Sequence, residues 1–366
     1  MGVRGHAIRL FNVLAKGVII VPSTTPWTGP WLGATRSPSL QRVANRPIIC
    51  HVLDTLLQAG VVEVAVVAPP GATDEIAACI SSEGPAGVAV RHLVNDRRGD
   101  GEDTLPAAAE FVGDAACVLH RADGLLGQQL ALFLEMRREE SSDALLLVQD
   151  DGLQARRLRL VPQQLLTATE DGLTPTPGGV AGVCLLGPGA LARLARSELS
   201  AETLDIPALA EQLARDGGRV HMRLIHKWHH FTGDALDLLD MNRTMLDTLD
   251  PELTPTAGNG NRFEGPIVIH PTACVTSSVI IGPVIVGADA LIADSYIGPH
   301  TAIAERVRIE GAELERSIVL ADASVLHVGG RLVASIVGRQ ARIFRDFSMP
   351  RALRLQVGDG DEVALC

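Results

Sequence analysis

Asp123 stands in the run HRADGLL, directly after an aliphatic segment, and Asp234 stands in HHFTGDAL close to His226, His229 and His230. Imidazoles a few residues apart, with a carboxylate just beyond, can complete the ligand set of zinc or a late transition metal. The same three histidines with Asp234 also read as a polar loop at a strand end, which requires no ligand. A further candidate is the loop Pro22 to Pro38, crowded with Pro, Gly, Ser and Thr and carrying Trp27 and Trp31, two of the three tryptophans. Indole rings there either stack on a base or a partner surface, or fill space that a ligand would take, and filling is the simpler reading. His300 has the type of a general base but stands alone in its turn, which favours a structural role. Cys50, Cys79, Cys117, Cys184, Cys274 and Cys366 include no CxxC pair. Neither a zinc site nor a disulfide framework is indicated, and a reducing cytoplasm is the expected setting.

The elements that must position these residues are of two kinds. From Val18 to Val21 the chain reads as a strand, followed by a helix from Pro47 to Gly60, a strand Val61–Ala68, a helix Thr73–Ile80 and a strand Val88–Leu93. A helix Leu105–Val112, a strand Ala116–His120 and a helix Leu125–Glu140 continue the alternation, with strands at Ala144–Val148 and Val180–Leu186 and a closing helix Leu236–Leu249. Strands alternating with helices predict a largely parallel sheet covered on both faces. Ligands of such sheets sit beyond the carboxyl ends of the strands, where the loop after Val21 and the turn at Asp123 both fall.

After a stretch rich in Pro, Gly, Asn and Thr, DPELTPTAGNGNRFEG, the period changes. Ile269, Val275 and Ile281 are six apart, as are Val286 and Ile292, and then Ile297, Ile303 and Ile309, with steps of five joining the sets. A period of six fits neither a helix nor an alternating strand; it marks a hexapeptide β-helix, three short strands per coil with an aliphatic residue turned inward at each corner. Gly282, Gly287 and Gly298 each follow an inward position, where the chain is expected to turn tightly. The boundaries read from these changes are an N-terminal extension at 1–16, an α/β domain at 17–249, a linker at 250–264 and a β-helix with its tail at 265–366. The extension is expected to be an extra helix or a frayed tail. With a net charge of −11 the chain lacks the basic surface that nucleic acid requires, and no apolar run is long enough for a membrane span.

Several segments resemble the sugar-1-phosphate nucleotidyltransferases, and most closely the long form of glucose-1-phosphate thymidylyltransferase from actinobacterial deoxysugar pathways. They are VANRPIICHVLDTLLQAGVVEVAVV, FVGDAACVLHRADGLL, AGVCLLGPGAL, TGDALDLLDMNRTML, DSYIGPHTAIAE and RALRLQVGDGDEV. The resemblance implies a Rossmann-like nucleotidyltransferase domain followed by a left-handed parallel β-helix, usually assembled into oligomers. It also implies a site. The family's phosphate loop GGxGTRL falls on Pro22, Ser23, Thr24, Thr25, Pro26, Trp27 and Thr28, which lack its glycines and its arginine. Proline has no N–H to offer a phosphate. The first lysine of the motif KxLLPVANKP falls on Pro38, and Arg46 replaces the second.

For magnesium, if the protein is active, the resemblance supplies Asp123 through the family motif LGDN, but the partner acid of DTG falls on Phe231, with Asp234 three residues beyond. It places nucleobase contacts around Gly99 and Gly101, and sugar contacts at Gly182 and Asp205. Two readings stay open at this stage. One is a pseudoenzyme retained beside nucleotide-sugar biosynthesis for assembly, regulation of an active homologous nucleotidyltransferase, or binding of a sugar phosphate or nucleotide. The other is an active nucleotidyltransferase with a rebuilt site, making a nucleotide sugar from a sugar 1-phosphate and a nucleoside triphosphate. Self-association through the β-helix is expected in either case.

Overall fold

A computed structural model describes residues 15–22, 37–94, 104–149, 180–196, 206–225, 228–250 and 258–347. The chain divides into two compact units, Met1–Thr248 and Leu249–Cys366. The first is built on β1 (Ala15–Ile20), α1 (Ile48–Gln58), β2 (Glu63–Ala68), α2 (Thr73–Glu83), β3 (Ala89–Val94), α3 (Thr104–Val112) and β4 (Ala116–Arg121). Then come β5 (Gly124–Leu126), α4 (Leu130–Glu140), β6 (Ala144–Gln149), β7 (Val180–Leu186), α5 (Ala190–Leu194), α6 (Ile206–Arg215), β8 (Val220–Ile225), β9 (Trp228–His230) and α7 (Ala235–Leu246). Seven strands form one sheet in the order β8-β6-β7-β4-β1-β2-β3. Valine, isoleucine, leucine and alanine fill these strands because both faces are covered. Val18, Val67 and Leu119 pack against α3, α5 and α6, and their alternating neighbours Ile19, Val66 and Val118 are fully buried as well.

The sheet departs from the expected parallel series at β7, which runs antiparallel to both β4 and β6. This reversal sets His120 opposite Val183, so Gly182 lies beside the carboxyl end of β4. A second departure concerns the helix expected from Leu125. Its first residues form β5 instead, paired antiparallel with β9, and the helix begins at Leu130. Cross-strand pairing has overridden local helical periodicity here. Ala15 and Lys16, expected in the extension, open β1, and Lys16 Nζ donates to the Phe111 carbonyl at 2.9 Å. Helix α6 and strand β8 were not anticipated from sequence.

In the second unit, fifteen short strands stack into three five-stranded parallel sheets that fit a left-handed β-helix. Its first strand is Arg262–Glu264, inside the segment read as linker. Val279 faces Tyr296 and Tyr296 faces Glu313, a step of 17 residues per coil, and the next step, Glu313 to Arg331, is 18. The inward residues are Val275, Ile280, Val286, Ile292, Ile297, Ile303, Ile309, Leu314, Val319 and Val325. Ile269 and Ile281, placed inward by a period of six, are only half-buried. In the strand Val279–Ile281 the central residue faces the core, because the short turn at Ser277 and Ser278 shortens that step to five. A side chain at Gly282, Gly287 or Gly298 would clash, with a Cβ meeting other atoms at 2.2, 2.7 and 2.9 Å, but the reason is close packing and not a left-handed turn. Gly287 does not adopt a left-handed backbone; a Cβ on it would lie 2.7 Å from backbone atoms of Ala304 and Glu305 in the next coil. Left-handed turn positions include Ser277, Asp294, His300, Arg306 and Asp322, with φ between 48° and 61°, and Gly311 at 57°.

Candidate functional site

Strand β4 ends at Arg121, and Asp123 lies two residues on, in the turn that leads into β5. Arg121 donates from Nε to Asp123 Oδ1 at 3.0 Å and from Nη2 to Oδ2 at 2.6 Å, a bidentate pair. Asp123 is 3% exposed, whereas the Arg121 side chain is 42% exposed. The carboxylate thus has both oxygens engaged by the guanidinium of the last residue of β4. Phe231 N donates to the Asp123 carbonyl at 2.9 Å, so the position opposite Asp123 is the one the resemblance assigns to the second acid. Its phenyl ring is 1% exposed and offers no ligand atom.

The β5/β9 ladder brings Trp228 into the same corner. A Cβ on Gly124 would lie 2.2 Å from Trp228 Cζ2, and one on Gly182 would lie 2.7 Å from it and 2.6 Å from Arg121 Cδ. Both glycines are needed for close approach: they leave the slot that the Trp228 ring and the Arg121 stem occupy. Trp228 stacks edge-on against His120, with ring centroids 5.6 Å apart. Protein side chains therefore fill the face of Gly182 where the resemblance implies a sugar.

His120 is fully buried on the same strand, with Nδ1 2.8 Å from the Arg121 carbonyl. Burial pushes its pKa down from 6.5 to about 4, against smaller upward pulls from that carbonyl and from Asp123. Because the unfolded chain binds a proton at higher pH than the folded one, this contribution to stability is complete above pH 6.5 and is lost as pH falls towards 4. The expected cost between pH 7 and pH 4 is about 3 kcal/mol. Urea unfolding at the two pH values should show it, and His120→Gln should reduce the difference; an unchanged difference would rule His120 out as its source.

Other positions singled out from sequence are committed elsewhere. Arg46 Nη1 pairs with Asp54 Oδ2 at 2.5 Å and Nη2 donates to the Glu83 carbonyl at 3.1 Å. Pro38 opens a buried turn, Pro38–Leu40. Asp234, the candidate substitute acid, caps α7, its Oδ1 accepting from Leu236 N at 2.9 Å. Among the described residues no group of three or more His, Cys, Asp or Glu is placed to hold a metal ion. His300 occupies a left-handed turn position, its N donating to the Pro283 carbonyl at 2.8 Å. Pro22 follows β1 and is half-buried. Ser23, Thr24, Thr25, Pro26, Trp27, Thr28, Trp31, Gly99, Gly101, Asp205 and His226 lie outside the described residues. Sequence reasoning missed Arg121, Gly124 and Trp228. The i, i+2 spacing of Arg121 and Asp123 at a strand end was the available signal for the first; only the antiparallel β5/β9 pairing identifies the other two.

No protein-family model matches the chain. The chain is similar to a glucose-1-phosphate thymidylyltransferase of Streptomyces antibioticus, 26% identical over 90% of this chain and 94% of the relative. It is also similar to the low-salt glycan biosynthesis nucleotidyltransferase Agl11 of Haloferax volcanii, 24% identical over 96% of this chain and 100% of the relative. A solved Bacillus anthracis chain, assigned as a glucose-1-phosphate thymidylyltransferase, aligns with a TM-score of 0.49 at 18% identity, covering 62% of this chain and 94% of that one.

Proposed function

We propose, on the premise that this chain is a sugar-phosphate nucleotidyltransferase-like protein, that it is a catalytically impaired member with a structural, regulatory or ligand-binding role beside nucleotide-sugar biosynthesis. The observation that carries this reading is Phe231. Its backbone N–H bonds the Asp123 carbonyl, at the position where the resemblance requires a second metal acid, and the residue is buried. Nucleotidyl transfer depends on a bridging magnesium to stabilise the charge that develops between the phosphates, and a hydrocarbon ring supplies none of that stabilisation. The degenerate loop that begins at Pro22 supports the same reading through missing N–H donors. The deciding experiment is a pyrophosphate-release assay on the full chain.

The role itself is carried by assembly. Val333 and Phe344 on the β-helix are 48% and 57% exposed, and Leu291 is 52% exposed, so the coils present aliphatic and aromatic surface to solvent. Self-association, or pairing with an active homologous nucleotidyltransferase, would cover it. A cytoplasmic setting belongs to this reading; among the described residues no helix is long and apolar enough to cross a membrane. Light scattering at micromolar concentration should report at least a dimer. A single monomeric species would contradict the self-association.

A further inference from the structure

The residues at the end of β4 do not fit the metal that the resemblance implies. Magnesium demands near-octahedral oxygen coordination at short distances and is held through carboxylates that are free to ligate. Here both oxygens of Asp123 are bonded to Arg121, at 3.0 and 2.6 Å, the carboxylate is almost wholly buried, Phe231 meets Asp123 through its backbone N–H and brings no acid, and Asp234 caps α7. Arg121 itself occupies the motif position at which the family carries leucine.

We propose that Arg121 is the resident counter-ion of Asp123, an internal cation that has taken the place of the divalent metal, so that this strand end binds none. The inference rests on the impaired reading above and extends it to how the remaining acid is kept neutralised in the fold. A buried carboxylate without a partner is costly, and an acid left behind after loss of a metal would need either a proton or a cation. A guanidinium two residues away, on the last residue of β4, supplies that cation with fork geometry and without recruitment from solution. The remaining structure keeps it there. The stem of Arg121 lies over Gly182, where any side chain would strike Cδ, and Trp228 closes the other side of the same slot. Gly182 is thus required by the counter-ion and the indole. A dissolved cation would have to compete with two charge-assisted hydrogen bonds for a carboxylate that is only 3% exposed.

Manganese, read by electron paramagnetic resonance on the full-length protein, tests this directly. Wild type and Asp123→Asn are expected to bind Mn²⁺ equally weakly. Arg121→Leu should bind at least tenfold more tightly than wild type, and Arg121→Leu with Asp123→Asn should return to the wild-type level. Wild-type binding that disappears in Asp123→Asn would overturn the proposal, as would a folded Arg121→Leu protein with no gain. Should Arg121→Leu fail to fold, the comparison of wild type with Asp123→Asn still decides. Nucleotide-sugar synthesis that survives metal chelation would defeat the impaired reading and leave the counter-ion in place. Mn²⁺ held at Asp123 without turnover would do the reverse.

Discussion

Incubated with glucose 1-phosphate, magnesium and each common nucleoside triphosphate in turn, the protein is expected to release no pyrophosphate above background. Removing one preorganised charge stabiliser commonly costs on the order of a hundredfold or more in rate. On the proposed reading several are changed together: by the resemblance the loop from Pro22 lacks the family's glycines and arginine and Phe231 takes the second acid's position, and in the structure Asp123 is bound by Arg121. Phe231→Asp should not restore activity. The new carboxylate would enter a site that is 1% exposed, where an unpaired charge destabilises the fold, and Arg121 would still hold Asp123. Robust synthesis of a nucleotide sugar by the unmodified protein, abolished by Asp123→Ala, would sink the impaired reading and establish a rebuilt site.

Gly287→Ala is expected to lower the stability of the β-helix by about 3 kcal/mol, the upper part of the usual range for overpacking. The added methyl would sit 2.7 Å from the Ala304 carbonyl carbon and from Glu305 N. Neither side can yield cheaply, because Gly287 N already donates to the Ile303 carbonyl at 2.7 Å and fixes the spacing of the two coils. Gly330→Ala is the control: a Cβ there meets nothing within 4 Å. Thermal unfolding of the full chain should show the Gly287→Ala transition lowered by roughly 10 °C and the Gly330→Ala transition little changed. Equal transitions for the two variants would mean that coil spacing tolerates the methyl group.

Much of this protein is legible one residue at a time. Runs such as EVAVVA and ACVLHR are short and apolar and so read as buried strands, and the helices between them carry periodic apolar faces, so an α/β sheet follows from local pattern and hydrophobic burial. The change to a repeat of five and six likewise announces a coil with three faces. The residues on which the impaired reading rests are equally local, since whether Pro22 has an N–H or Phe231 a carboxylate is a property of the residue alone.

What one-dimensional periodicity could not settle was direction and depth. Nothing in VAGVCLL says that β7 runs against its neighbours, yet that reversal sets Gly182 beside Arg121. Leu125 and Leu126 suit a helix by composition and became a strand because Trp228 and His229 lay across from them. Ile281 suited the six-residue repeat but turned half outward, because the length of a turn, fixed by the stacking of the coils, decides which residue of a strand faces in. The pairing of Arg121 with Asp123 belongs to the same class. Both residues are plain in the sequence as surface-type charges; only the tertiary structure, by burying the carboxylate and laying the arginine over a glycine from another strand, makes them a single neutralised pair.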